Sequence, residues 1–178
     1  MLTIKLSKAL ERVFAFSTGA RVRRVPVIFD VDNAAVYAAA DVITLAQEIP
    51  NAVQHAGGSA YLTDIQIFDG DDQNVALDIY LTSSNKNMGT VNAAISITDR
   101  DALDVLGKVP IASGDYSDFI ASRFVNKVMG DTGLPLTVHA EPGSRSVFVS
   151  LVNGVGTPTF TDGGLRGVFT FQDVVRAG

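Results

Sequence analysis

The sequence predicts an all-β fold, an antiparallel β-sandwich that is jelly-roll-like, with one short helix and an N-terminal arm. Short segments alternate apolar and polar residues, as strands with one buried face do. Sixteen glycines and six prolines divide the chain into pieces too short for long helices. A hydrophobic fraction of 47% in 178 residues supplies one core, and 19% charged residues are too few to keep the chain unfolded. We expect an arm over residues 1–24 and one β-sandwich domain over residues 25–178.

The first 24 residues form a basic segment with six cations and one anion, a net charge of +5, whereas the remainder has 8 basic and 18 acidic residues, a net charge of −10. An apolar stripe at helical spacing predicts a short amphipathic helix in the first 16 residues. Because an isolated monomer has little reason to expose such a stripe, we expect the arm to dock onto a protein neighbour. Its cations are too few for a dedicated nucleic-acid tail. The candidate interface residues are Leu6, Leu10, Val13, Phe14, Lys5, Lys8 and Arg12.

Strands are predicted wherever apolar residues alternate between turn signals. The strongest pattern is a pair of segments, residues 61–67 and 75–81, which flank an acidic turn and therefore predict a hairpin. A first strand over residues 25–31 contains Pro26, which places it at a sheet edge because proline has no N–H to donate. Eight or nine strands are expected in total. The other candidates are residues 42–45, 91–97, 109–111, 134–138, 147–151 and 165–171.

Two segments need a separate interpretation. Thr98 or Asp99 is a candidate N-cap for a short helix that presents Leu103 and Leu106 and ends at Gly107. Residues 119–129 fit both helical and strand spacing, and we interpret them as a strand. Residues 153–156 contain two glycines and are predicted to be a turn.

No catalytic site, metal site or cofactor is predicted. The absence of cysteine excludes disulfides, thiolate metal ligands and a cysteine nucleophile, and no nucleophile elbow or phosphate loop occurs. His55 is interpreted as a surface loop residue and His139 as a strand residue. The acidic turn at residues 69–74 resembles a calcium loop in composition but lacks the spacing of one, and turn formation accounts for its Asp and Asn residues. No apolar run approaches the length of a membrane span, so we expect no membrane partner.

Four runs in the middle of the chain have a distinctive order: YAAADVI at 37–43, GGSAYL at 57–62, LDIYL at 77–81 and VNAAISITDRD at 91–101. In order and approximate spacing they resemble small virion structural proteins of tailed bacteriophages, the capsid decoration or cement proteins. In those proteins a strand that begins at a tyrosine leads to a Gly-Gly loop, and an Asn-Ala-Ala strand leads to an acidic helix start. The resemblance covers about residues 36–112.

The resemblance implies a non-enzymatic, jelly-roll-like protein that reinforces the outer capsid surface of a virion made in the host bacterial cytoplasm. Its implied partners are the major capsid protein and further copies of itself, with a trimer preferred. Three alternatives stay open: a tail or neck component, a carbohydrate-binding module for host attachment, and an enzyme that uses scattered carboxylates. Five aromatic residues are interpreted as core residues, with an interface role as the alternative: Tyr37, Tyr61, Tyr80, Phe119 and Phe124.

Overall fold

Two antiparallel β-sheets pack face to face in the computed structural model, which describes residues 21–129 and 135–174. The predicted all-β, jelly-roll-like sandwich is confirmed. The predicted arm helix and all seven candidate interface residues lie outside the described residues. The strands are β1 (Val22–Ile28), β2 (Gln47–Ile49), β3 (Ser59–Asp69), β4 (Ala76–Thr82), β5 (Val105–Ile111), β6 (Ser117–Asp118), β7 (Arg123–Val128), β8 (Leu136–His139), β9 (Val147–Val155) and β10 (Leu165–Asp173).

The chain crosses repeatedly between the two sheets. One sheet has six strands in the order β1-β10-β3-β7-β6, with β8 also paired to β3, and the other has the order β2-β9-β4-β5. Strand β1 lies at an edge, as Pro26 predicted, although it begins at Val22, three residues before the predicted start. Strand β2 is the corresponding edge of the four-stranded sheet, so β1 and β2 border the same open side of the sandwich.

The core lies between the sheets and is built from the alternating residues of both inner faces. Leu77, Ile79 and Leu81 of β4 are buried, as their alternation predicted. Phe29 and Phe169 meet edge to face, with ring centroids 6.4 Å apart. Each such side chain contributes about 1.5–3 kcal/mol through burial.

The predicted hairpin between β3 and β4 is wrong, because the two strands belong to different sheets. Strand β3 pairs with β10, β7 and β8, whereas β4 pairs with β5 and β9. Each strand is apolar on one face, and placing the strands in opposite sheets buries both faces in one core. The turn between them is held open by Asp69, a buried carboxylate that accepts N–H groups from Asp71, Gln73 and Asn74 at 3.0, 2.7 and 3.1 Å.

A β-bulge interrupts the predicted alternation of inward-facing and outward-facing residues in β3. Residues 61, 63, 65 and 67 were expected on one face, but Tyr61 and Thr63 are half-buried while Ile65 and Ile67 are fully buried. The pairing register with β10 shifts at this point, and the Thr63 hydroxyl donates to the carbonyl of Thr170 at 3.1 Å. The extra residue changes which side chains of β3 point into the core, as β-bulges do.

Residues 91–97 form no strand, contrary to prediction. Their strand-like pairings are isolated bridges, from Val91 to Val42 and from Ala94 to Asp41. Asn92 has φ of 57°, which is incompatible with an extended ladder. Residues 42–45 are likewise irregular.

The predicted short helix is a single 3₁₀ turn, Asp101–Asp104, and the expected helix residue Leu106 lies in β5. The N-cap is Arg100 and not Thr98 or Asp99 as predicted, although the Thr98 hydroxyl accepts the N–H of Asp101 at 3.1 Å.

The strand interpretation of residues 119–129 is confirmed for Arg123–Val128. The turn predicted at residues 153–156 is wrong, because β9 continues through Val155. Buried Asn153 makes this continuation possible: its side-chain amide donates to the carbonyls of Tyr37, Ala38 and Gly156, at 3.3, 2.9 and 2.9 Å.

Candidate protein-binding surface

The outer face of the four-stranded sheet is covered by the protein's own loops. Val152 of β9 is buried against Val42 and Met88, and Tyr80 of β4 packs on the same small cluster. Backbone hydrogen bonds hold these loops to each other, including Val42 N–H to the Ala93 carbonyl at 2.9 Å. Much of this face is therefore occupied within the subunit.

The outer face of the six-stranded sheet presents an apolar row with one arginine at its centre. Antiparallel register aligns Ile28 with Arg166, Arg166 with Phe68, and Phe68 with Phe124 across β1, β10, β3 and β7. Directly paired residues project from the same face. Ile28 is 62% exposed and Phe68 is 37% exposed, Arg166 is exposed and Phe124 is half-buried. We call these four residues the outer row. The outer row crosses four neighbouring strands, and the three spacings between them make the row about 14 Å long.

The outer row continues into the hairpin tip, residues 119–122, between β6 and β7. The Phe119 ring stacks on the ring of Phe124 with a centroid distance of 5.9 Å and remains 56% exposed. Ile120 is 94% exposed and has φ of 77°, an unfavourable backbone conformation for a β-branched residue. Its N–H donates to the Asp118 carboxylate at 2.8 Å, which helps to hold that conformation. Strain of this kind costs about 1–3 kcal/mol and is typical of functional positions.

Arg123 fixes the base of the hairpin tip. Its guanidinium pairs with Asp72 of the turn after β3 and with Asp118 of β6, the latter at 3.2 Å. Because β6 has only two residues, this pair of contacts is the main side-chain support for the tip. The arrangement keeps Phe119 and Ile120 exposed on a defined scaffold.

The acidic turn that resembles a calcium loop in composition uses its carboxylates for structure. Burial raises the pKa of Asp69, while the N–H groups of Asn74, Asp71 and Gln73 oppose that rise. Asp71 accepts both the N–H and the hydroxyl of Thr161, at 2.8 and 2.6 Å. Within residues 21–129 and 135–174, no cluster of three or more metal-ligating side chains occurs.

The remaining candidate residues are distributed over the molecule. His55 is exposed in a loop and His139 lies on β8, as interpreted from the sequence, and His139 is also exposed. Of the five aromatic residues, Tyr37 is buried, while Phe119 and Phe124 lie together at the outer surface.

Sequence reasoning missed Ile28, Phe68, Arg166 and Ile120 as surface candidates. Only the pairing register places the first three on one row. No sequence signal marks Ile120, since its unusual φ is a property of the folded hairpin. In the described part of the chain, no helix is long and apolar enough to span a membrane.

Comparisons with known proteins identify no matching family model and no matching curated protein. Among solved structures, the chain is similar to infectious bursal disease virus Gx strain, with 9% identity, a TM-score of 0.33, and coverage of 87% of this chain and 32% of that chain. The infectious bursal disease virus VP2 subviral particle gives 12% identity, a TM-score of 0.34, and coverage of 88% and 33%. Desmodium yellow mottle tymovirus gives 9% identity, a TM-score of 0.28, and coverage of 90% and 86%. The chain spans about a third of the length of the first two.

Proposed function

We propose that this chain is a non-enzymatic structural protein of a tailed-bacteriophage virion, a capsid decoration (cement) protein that binds the outer capsid surface. The observation that carries the proposal is the row of exposed side chains on the outer face of the six-stranded sheet. There the outer row and the hairpin tip expose aromatic, arginine and branched apolar side chains. Aromatic residues and arginine are the types that dominate binding at protein interfaces.

The chemistry of the described residues agrees with a structural role. Carboxylates that could serve a reaction are used to hold turns and ion pairs, as Asp69, Asp71 and Asp72 show. Resemblance of residues 36–112 to decoration proteins supports the virion assignment, and no nucleic acid, membrane or cofactor is part of the proposal.

The size of the surface favours a lattice partner, the major capsid protein. The outer row and the hairpin tip form a patch about 20 Å across, or about 300 Å², which is well below the roughly 800 Å² per partner of a standard interface. A single contact of that size binds weakly. Linked copies on a repetitive shell bind more strongly without any new contact, since each bound copy raises the effective concentration of the next. A homo-oligomer, preferably a trimer, supplies that linkage.

The test of this proposal is binding of the purified protein to capsids that lack it. We expect saturable binding with hundreds of copies per particle and increased resistance of the shell to heating, because a ligand that binds only the assembled state stabilises that state. A few to tens of copies per particle would place the protein in the tail or neck. Binding to a host glycan in place of the capsid would identify an attachment module.

The segment before β1 is proposed to be a separate arm. Among residues 21–129 and 135–174, the main buried cluster begins at Val27 and draws on both sheets. Deletion of residues 1–16 is expected to leave the β-sandwich folded. Circular dichroism and thermal unfolding of the truncated protein check this expectation, and capsid occupancy at low salt reports the loss of attachment. Unfolding of the truncated protein would show that the segment belongs to its own subunit's core.

A further inference from the structure

A cleft lies on the open side of the sandwich, beyond the end of β1 and beside β2. It has a volume of about 340 Å³, which is within the range of binding pockets. Its lining includes the apolar residues Val31, Leu45 and Val91, and two acidic residues, Asp30 and Asp32, which we call the rim.

The cleft is held in shape by hydrogen bonds from the segments on either side. The Gln47 side chain accepts the N–H of Asp30 at 3.2 Å and donates to the Ile28 carbonyl at 3.3 Å, which ties β2 to the end of β1. The N–H of Ala46 donates to Asn87 at 2.8 Å. Leu45 remains 43% exposed beside this support. The cleft therefore presents apolar side chains beside polar ones, and the described part of the subunit leaves Leu45 exposed there.

The charge of the rim is uncompensated in the part of the chain that the structure describes. Asp30 and Asp32 take part in none of the six ion pairs found there. Burial raises the pKa of nearby Tyr37, and the negative charges of Asp32 and Asp30 add to that rise, which places both carboxylates close to its hydroxyl. A cationic, partly apolar segment would complement this cleft.

Residues 1–16 of this chain have that chemistry. They contain Lys5, Lys8 and Arg12 against Glu11, a net charge of +2, and the apolar residues Leu6, Leu10, Val13 and Phe14. The two carboxylates of the rim complement this net positive charge. We propose that residues 1–16 of one copy dock into the Asp30/Asp32 cleft of a second copy.

The reach of the arm favours a second copy over its own subunit. The chain is extended from Arg21 to Asp30, a separation of about 30 Å at 3.3 Å per residue. A helix over residues 1–16 would place Leu10, at the centre of the apolar stripe, about 9 Å from the C-terminal end of that helix, at 1.5 Å per residue. Five Cα steps from residue 16 to Arg21 add at most about 18 Å, even before the chain reverses direction. With such a helix, the centre of the apolar stripe would fall short of its own cleft, a limit that does not apply to a neighbouring copy.

Docking of this kind is a heterologous contact, in which the arm of each copy engages a different surface of the next. Such contacts close into a ring when the rotation between copies permits it. The proposed trimer is one ring of this type. The inference concerns contacts between copies of this chain and stands independently of capsid binding.

Paired cysteine variants test the inference on the full chain without capsids. Since the native protein has no cysteine, Leu10→Cys in one protein and Leu45→Cys in a size-tagged second protein provide a single defined pair. Mixing and mild oxidation are expected to give the mixed disulfide dimer, because the bond requires Cα atoms within about 7 Å. The matched control pairs Leu10→Cys with Leu103→Cys, since Leu103 is 84% exposed on the 3₁₀ turn that precedes edge strand β5 of the other sheet. The control pair is expected to give about tenfold less mixed disulfide dimer. This ratio corresponds to a preference of about 1.4 kcal/mol for the cleft over the control site.

Charge reversal provides a second test. Asp30→Lys with Asp32→Lys is expected to reduce the mixed dimer about tenfold at low salt and less at high salt, because salt screens the attraction. Lys5→Glu with Lys8→Glu on the arm should restore the yield to the reversed cleft. Equal crosslinking to Leu103→Cys would overturn the proposal. So would a disulfide that forms only within one chain of the Leu10→Cys, Leu45→Cys double variant. Either result leaves the proposal of capsid binding untouched.

Discussion

Replacement of Phe119 by serine and Ile120 by glycine is expected to reduce affinity for capsids by about 30- to 1000-fold, the equivalent of about 2–4 kcal/mol. Both side chains are exposed at the hairpin tip, and Phe119 stacks on Phe124 of the outer row. Loss of the two side chains removes the largest apolar contribution of the tip and leaves the inner core unchanged. Capsid occupancy measured across a protein titration gives the affinity directly.

The same tip separates a binding effect from a folding effect. Ile120→Gly alone should increase the free energy of unfolding by about 1 kcal/mol, because glycine adopts positive φ without strain. Capsid affinity should nevertheless fall. Leu103→Ser is the matched control, since it removes an exposed apolar residue from the 3₁₀ turn before β5, away from the outer row, and should leave affinity unchanged. Equal losses for the tip and control variants would contradict a specific role for the hairpin tip.

Asp69→Ala is expected to destabilise the folded protein by about 3–5 kcal/mol, a large part of the roughly 5–15 kcal/mol available to a domain. The Asp69 carboxylate is buried and accepts three backbone N–H groups of the turn that joins the two sheets. Alanine leaves all three donors without their acceptor. Asp69→Asn keeps one acceptor oxygen, so it should destabilise the folded protein about half as much as Asp69→Ala. Chemical denaturation measures both variants.

Asp99→Ala is the control for this substitution, because Asp99 is an exposed carboxylate in a loop. Its removal should change the free energy of unfolding by less than about 0.5 kcal/mol. If Asp69→Ala were as mild as Asp99→Ala, the turn would be held by the packing of its flanking strands and not by the carboxylate.

The sequence by itself determined the inward-facing residues of several strands and the edge position of β1. Leu77, Ile79 and Leu81 alternate because a strand with one buried face must, and Pro26 cannot donate to a neighbouring strand. These properties are local, so they can be read from spacing and residue type.

Strand partners were decided by the tertiary structure. The turn after β3 was recognised from its Asp and Gly residues, but a turn specifies only that the chain reverses. Whether β3 and β4 pair or face each other across a core depends on β10, β7, β9 and β5, which lie far away in the chain. The bulge at Thr63 likewise depends on β10 and changes which residues of β3 face inward.

The candidate surface also required the folded structure. Ile28, Arg166, Phe68 and Phe124 come from four strands that are distant in sequence, and only the pairing register brings them into one row. Apolar alternation identifies residues that need burial, but an exposed apolar residue has no periodic signature. The sequence therefore determined which residues form the core. The tertiary structure decided which apolar residues of a sheet face remain exposed, because their exposure depends on where loops from distant parts of the chain pack.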